Sequence, residues 1–268
     1  MATRAEGPAH GLERSPQTHS HPEPDAEPNR LLRSIPASSY DRLAPDLERV
    51  EFSSRQRLWD AHEPIRSVYF PRTCVLSLLI LLEEDGPVES ATIGREGMAG
   101  VTIALGAEST AATAIAQIPG EAVRIPASVF RKALAEDVAL LSIVLRYAHV
   151  LYEQTSQSVA CNRRHSMEQR CARWLLMTHD RVGADQFPLK QEFLAFMLGV
   201  RRASVTVAAG MLQHAGLIGY SRGSITIVDR VQLEAAACEC YRTIRDASDR
   251  LLGGSDADGM NGGGTTQT

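Results

Sequence analysis

The chain has 268 residues, 44% of them hydrophobic and 22% charged, and a formal net charge of −4. That length and apolar content suffice to bury at least one sizeable core and exclude a fibrous or wholly disordered chain. The longest apolar run, residues 75–82, is broken by Ser77 and is far too short to span a bilayer, and nothing reads as a signal peptide. A chain working in the cytoplasm without membrane contact is therefore expected. Charge is unevenly placed: between Cys161 and Arg230 there are ten Lys/Arg against five Asp/Glu, although the whole is acidic. A basic segment of this kind is what attraction to phosphates needs, while charge alone suits an ordinary solvated surface as well.

Residues 1–28 hold five of the 13 prolines, three histidines (His10, His19, His21) and few large apolar side chains, so a disordered tail is expected. Residues 29–135 read as a strand-rich domain, with short apolar runs at 65–70, 75–82, 90–93, 114–118 and 122–125. Asp85-Gly86-Pro87 signals a turn, and the glycines of Gly94-Arg95-Glu96-Gly97-Met98-Ala99-Gly100 mark a tight connection where backbone can approach a ligand. Such a roll can hold a small molecule inside.

Over residues 136–163 the apolar period changes to about 3.6, with no Gly or Pro to interrupt it. Leu141, Val144, Ala148, Leu151 and Thr155 fall on one stripe, and Leu145, Tyr152 and Val159 on another. Two stripes call for two partners, the β domain and a second subunit; a helix buried within one subunit is the alternative.

Residues 164–251 read as a helical domain ending in a hairpin. A basic helix at 166–181 and a hinge at 183–188 precede two short helices, 189–200 and 201–218, with Gly199 at the turn between them and Gly216 at the end. Val205, Ala208, Ala209 and Leu212 share the inward face of the second helix, leaving Arg202, Ala203, Thr206, Val207 and Gly210 outward. Residues 219–229 then form a hairpin turning at Arg222-Gly223, with Ile225 and Ile227 inward. A helix-turn-helix followed by a wing reads DNA with its second helix in the major groove, though any three-helix packing with a hairpin has the same periodicity. Residues 252–268 form a second, Gly- and Thr-rich tail. The five cysteines (Cys74, Cys161, Cys171, Cys238, Cys240) make no even framework and read as free thiols. Cys238 and Cys240 fall in one predicted helix, where such positions do not face each other, so no metal site is expected.

Leu194-Ala195, Leu198-Gly199-Val200, Arg202, Val205, Leu212, Gly216-Leu217-Ile218 and Gly223-Ser224-Ile225-Thr226-Ile227 resemble the helix-turn-helix and wing of Crp/Fnr regulators. Upstream, Val68-Tyr69-Phe70-Pro71, the glycine-bearing turn and the long helix follow the same family's order. The resemblance implies an α+β fold: an N-terminal cyclic-nucleotide-binding-like β-roll, a long dimerisation helix and a C-terminal winged helix-turn-helix. It further implies a transcriptional regulator, not an enzyme, that binds a pseudo-palindromic site on double-stranded DNA as a homodimer and works with RNA polymerase. Its DNA contacts would come from Arg201, Arg202, Ala203, Ser204, Thr206, Val207 and Arg222, and its effector pocket from Gly94, Arg95, Glu96, Gly97, Met98, Gly100 and Thr110.

The pocket departs from the family. The Gly-Glu and Arg-Ser or Arg-Thr pairs that hold a cyclic nucleotide are missing, and the segment reads Met98-Ala99-Gly100-Val101 and then Ser109-Thr110-Ala111. Cyclic AMP is thus not the expected effector, and any cofactor or effector is unidentified. The first cysteine is Cys74, so an N-terminal iron–sulfur cluster of the Fnr kind is absent from the pattern. Ala203 and Val207 stand where many members carry a Glu and a second Arg, so the operator need not match theirs. A module that binds a small molecule and acts through protein contacts is the rival reading. An enzyme on a cupin-like domain lacks ligands, because His62 is the lone histidine of the β region.

Overall fold

The computed structural model describes residues 27–83 and 86–252. The expected tails, up to residue 26 and from residue 253, and Asp85 of the expected turn lie outside the described residues. The described chain opens with Glu27 buried, its carboxylate accepting from the Asn29 amide at 3.0 Å. Asn29 caps the short helix α1 (Arg30–Arg33) and donates from Nδ2 to the carbonyls of Pro71 and Gly97, which ties the N-terminal strap to the roll. Helix α2 (Ala37–Leu43) follows.

Seven strands build the roll: β1 (Glu48–Phe52), β2 (Arg57–Trp59), β3 (Ser67–Pro71), β4 (Val75–Leu82), β5 (Gly86–Ile93), β6 (Ala112–Ile118) and β7 (Gly120–Pro126). They pair antiparallel in two sheets, of order β1-β7-β3 and β2-β6-β4-β5. One core joins the sheets through Phe52, Val68, Phe70 and Ile125 of the first and Trp59, Leu76, Ile93 and Ala114 of the second. The second sheet is buried on both faces. Leu76, Ala114 and Ala116 point into the roll, while Val75, Leu79, Ile115 and Ile118 alternate outward into a second core shared with the C-terminal domain. Burial on both sides explains why the β4 sequence reads as a continuous apolar run instead of an alternating one.

Helix α3 (Ala127–Glu136) packs Phe130 edge-on against Phe70, and α4 (Val138–Arg164) runs for 27 residues, about 40 Å. Asp137 starts α4, its carboxylate accepting from the amides of Ala139 and Leu140. Hydrogen bonds from Ser39 and Leu140 and the Arg42 guanidinium hold that carboxyl at about 2, below the usual carboxylate range. The inner face of α4 buries Leu140, Ile143, Val144, Tyr147 and Val150.

A second face of α4, adjoining the buried one, carries Val138, Leu141, Leu145, Ala148, Tyr152, Thr155 and Val159, alternately three and four residues apart. Val138, Tyr152 and Val159 are 80%, 70% and 63% exposed, whereas Leu141 and Ala148 at the edge of this seam are partly buried against the roll core. The two stripes read from the sequence are therefore sorted differently in space. Val144 belongs to the core, and Leu151 faces a cleft between the domains, not the seam.

The C-terminal domain comprises α5 (Met167–Val182), β8 (Gln186–Pro188), α6 (Gln191–Leu198), α7 (Arg202–His214), β9 (Ile218–Ser221), β10 (Ser224–Ile227), α8 (Arg230–Ala236) and α9 (Cys240–Leu252). Ser166 and Gln169 close a capping box at the start of α5. Half of the expected hinge is strand, because β8 pairs with β10 in a sheet of order β8-β10-β9. Helix α9, amphipathic and not foreseen as a separate element, returns to lie along α4 and α5 with Tyr241, Ile244 and Ala247 buried. Among the described residues, no single helix is long and apolar enough to cross a membrane.

Candidate nucleic-acid interface and interdomain site

Helices α6 and α7 meet at a bend of 109°, through Gly199 in the left-handed region at φ 63°. A β-carbon on Gly199 would lie 3.2 Å from Val88 Cγ1, so the elbow of the helix pair rests on strand β5. Arg55 of the roll also stacks over the ring of Phe193 in α6, 5.2 Å from its centroid.

Along α7, Val205, Ala208, Ala209 and Leu212 are buried, as expected, while Arg201, Arg202, Ala203, Ser204, Thr206, Val207 and Gly210 are exposed. Arg201 occupies the N-cap position and makes no side-chain cap. Neither the Arg201 nor the Arg202 guanidinium has a hydrogen bond or ion pair among the described residues. The Thr206 hydroxyl can donate to Gln191 Oε1 at 2.9 Å or to the Arg202 carbonyl at 3.1 Å. Arg222 and Gly223 both have positive φ, 50° and 81°, the primed turn whose twist matches a two-residue hairpin. The turn presents Arg222 to solvent at the wing tip. Tyr220, not singled out in the sequence, donates to the Leu189 carbonyl and accepts from the Gln191 amide, which locks the wing to the start of α6.

Of the seven expected pocket residues, Arg95 and Glu96 line one cleft between the domains, and the other five are not among its lining residues. Gly94 and Gly97 are glycines because protein side chains press on them: a β-carbon would stand 2.5 Å from Arg181 Cγ and 2.1 Å from Tyr147 Cε2. Close backbone approach was expected there, but the approaching groups belong to α4 and α5. Met98 is wholly buried in the roll core, Gly100 has φ 97°, and Thr110 takes part in the roll's own hydrogen bonds through its carbonyl and hydroxyl. Glu96 pairs with Arg181 at 2.8 Å, while exposed Arg95 has no side-chain partner among the described residues.

Arg181 joins three regions. Its Nε donates to Glu96, one terminal nitrogen to the Met177 carbonyl, and the other to the Thr92 carbonyl and to Gln154 Oε1. A second link is Glu89 of β5, which accepts from Ser77, Thr92 and Trp174 Nε1 at 2.7, 2.8 and 2.9 Å. Burial pushes the Glu89 carboxyl above its ordinary value, partly countered by those three donors. Beside Arg181 opens a cleft of about 680 Å³, lined among others by Arg30, Arg95, Tyr147, Gln154, Arg230 and Arg245.

The cysteines correct the sequence reading. All five are buried free thiols, but Cys238 lies in the turn before α9 rather than in a helix, so it faces Cys161 with Sγ atoms 3.5 Å apart. Cys240 opens α9 in the same cluster, against His165.

The described residues thus form a β-roll docked on a winged helix-turn-helix, with a long helix between them. Residues 169–236 match the family model of the Crp-like helix-turn-helix domain. No curated protein matches the chain. Among solved structures, FixK2 from Bradyrhizobium japonicum has 19% identity and a TM-score of 0.62, covering 72% of this chain and 98% of its own. A CRP-family transcriptional regulator from Thermus thermophilus has 20% identity and a TM-score of 0.60, covering 70% and 96%. The c-di-GMP-responsive global regulator CLP of Xanthomonas campestris has 14% identity and a TM-score of 0.59, covering 72% and 99%. The chain thus has the fold of Crp/Fnr regulators and carries a Crp-like helix-turn-helix domain.

Replacing Arg181 with Met strands the Glu96 carboxylate against a mostly buried face, and removing one partner of such a pair costs about 3 to 5 kcal/mol. Urea unfolding of Arg181→Met should show that loss, and the Arg181→Met/Glu96→Gln double variant should recover part of it. Additive losses from the two substitutions would mean that the pair is not coupled.

Proposed function

We propose that the protein is a homodimeric transcriptional regulator that reads a pseudo-palindromic DNA site with α7 in the major groove and the β9–β10 wing on the phosphate backbone. The observation that carries this reading is the pair of exposed, unpartnered guanidiniums at the start of α7, next to outward residues small enough for close approach. Arg202, in the first turn of α7, is the base reader, suited to guanine O6 and N7. Arg201, at the N-cap, and Arg222, at the wing tip, contact phosphate. Ala203, Ser204, Thr206 and Val207 complete the groove-facing surface. The seam on α4 is the dimer interface: its alternating spacing of three and four residues is that of a two-stranded coiled coil. RNA polymerase is the partner that the family resemblance implies, and the cytoplasm the compartment.

The effector site in this reading is the interdomain cleft, not the interior of the roll. Arg95 supplies an unpaired cation on the roll side, while Arg230 and Arg245 on the other wall are paired with Asp180, Glu234 and Asp246, so an anionic small molecule drawn to Arg95 and competing for those pairs would have different affinities for different domain arrangements. Cyclic AMP is a poor candidate. Glu96 is engaged by Arg181, Met98 is in the core, and Thr110 offers only a neutral hydroxyl for the cyclic phosphate.

Arg202→Ala should weaken specific binding by about 1 to 3 kcal/mol and relax selectivity at one base position. Arg201→Ala should weaken all sequences alike and make the salt slope shallower by about one. Binding titrations at several salt concentrations measure both, and equal, sequence-blind losses would overturn the roles given. A protein that ignores DNA at low salt would favour the reading of a module acting through protein contacts.

Leu145→Asp places a charge in the α4 seam and should turn dimers into monomers in sedimentation experiments, with DNA affinity falling alongside. A wild type that sediments as a monomer at micromolar concentration would remove the basis for the interface. Calorimetric titration with cyclic AMP should give no saturable heat in the micromolar range, and binding there would overturn the account of the pocket.

A further inference from the structure

Four side chains with metal-binding atoms meet at the junction of α4, α5 and α9. Cys161 lies in the last turn of α4, His165 follows that helix directly, Cys238 sits in the turn after α8, and Cys240 opens α9. The three cysteines are 0%, 4% and 1% exposed, and His165 is partly buried. Cys161 Sγ is 3.5 Å from Cys238 Sγ, Cys240 Sγ is 3.4 Å from His165 Nδ1, and all four atoms lie within 4.8 Å of one another. A tetrahedral zinc ion with Zn–S near 2.3 Å and Zn–N near 2.0 Å places its ligand atoms about 3.5 to 3.8 Å apart, so the four atoms need only small adjustments to enclose one.

The surroundings fit a metal better than a packed set of neutral thiols. His165 directs Nδ1 toward Cys240, while its Nε2 is 3.2 Å from Glu239 Oε1, an outer carboxylate that would fix the tautomer with Nδ1 free to ligate. Gln157 Nε2 donates to Cys240 Sγ at 3.1 Å, a bond that suits a thiolate. Three thiolates and one neutral imidazole around a divalent ion leave one net negative charge. The Arg170 and Arg173 guanidiniums lie close enough to Cys161 to offset it, and each has a buried Nε with no hydrogen-bond partner among the described residues.

We propose that Cys161, His165, Cys238 and Cys240 bind one structural zinc ion. Three cysteines and a histidine make a closed set with no open position for substrate, which is a structural and not a catalytic arrangement. Binding releases the three thiol protons to solvent and changes no oxidation state. The ion would clamp the turn before α9 to the end of the long helix, fixing the point from which the C-terminal domain departs. The inference stands apart from the DNA reading, since it concerns ligand atoms on a different surface.

The test is zinc content in full-length protein purified under reducing conditions and supplied with zinc. One zinc per chain is expected in the wild type and in the Cys74→Ser and Cys171→Ser variants, and none in Cys161→Ser or Cys240→Ser. Because those last variants can misfold, the wild type is also stripped of zinc and loaded with cobalt. Intense thiolate-to-cobalt absorption with tetrahedral d–d bands is expected, and zinc should displace both. A zinc-free wild type without cobalt bands would overturn the proposal. So would zinc retained in both ligand variants, or a Cys161–Cys238 disulfide in protein that was never exposed to oxidant.

Discussion

Arg181 is the contact on which the arrangement of the domains depends. It leaves the last turn of α5 and reaches the Glu96 carboxylate on the roll, the Thr92 carbonyl at the end of β5 and Gln154 on the long helix. A guanidinium with 8% of its side chain exposed gives up most of its hydration, and only a full set of acceptors makes that tolerable. Those acceptors come from separate parts of the chain, so the ion is satisfied in one relative placement of roll, helix and C-terminal domain and stranded in others. The glycine at 94 follows from the same contact, and the glycine at 97 from the Tyr147 ring of the long helix. Any side chain there would push out Arg181 or the Tyr147 ring.

Around that polar anchor lies an apolar joint. The outer face of the four-stranded sheet supplies Val75, Leu79, Ile115 and Ile118 to a core that also contains Trp174 and Leu175 of α5 and Leu194 of α6. At about 25 cal/mol per Å² of apolar surface removed from water, side chains of this size contribute on the order of 1.5 to 3 kcal/mol each when fully covered. The apolar joint supplies attraction without direction, and the Arg181 and Glu89 networks supply direction.

The helix-turn-helix was legible in the sequence because local rules decide it. The 3.6-residue spacing of Val205, Ala208, Ala209 and Leu212 sets the inner face, Gly199 makes the elbow, and Arg222-Gly223 makes the primed turn. Strand β4 was legible to the residue for the same reason. Strands β1 and β2 were not, since β1 is mostly solvent-facing and β2 has three residues, so neither carries a strong apolar alternation. The rest was hidden because it depends on distant segments. Two stripes on α4 fit the periodicity, but which residues meet the roll, the cleft or nothing is settled by packing. The site glycines signalled a close approach without saying what approaches. The cysteines 77 residues apart meet because α9 folds back along α4, which no spacing rule anticipates.

Strand β5 has a consequence of its own. Its Val88 bears the elbow at Gly199, and its Thr92 carbonyl holds Arg181 four residues further on. Gly199 is only three residues before Arg202. Strand β5 therefore sits within one short stretch of both the elbow before α7 and the anchor of α5. Of the two contacts, the one at Val88 bears on the elbow that leads into α7 and the one at Thr92 bears on α5, so the edge of the sheet presses on the C-terminal domain at two places that do not lie on the long helix.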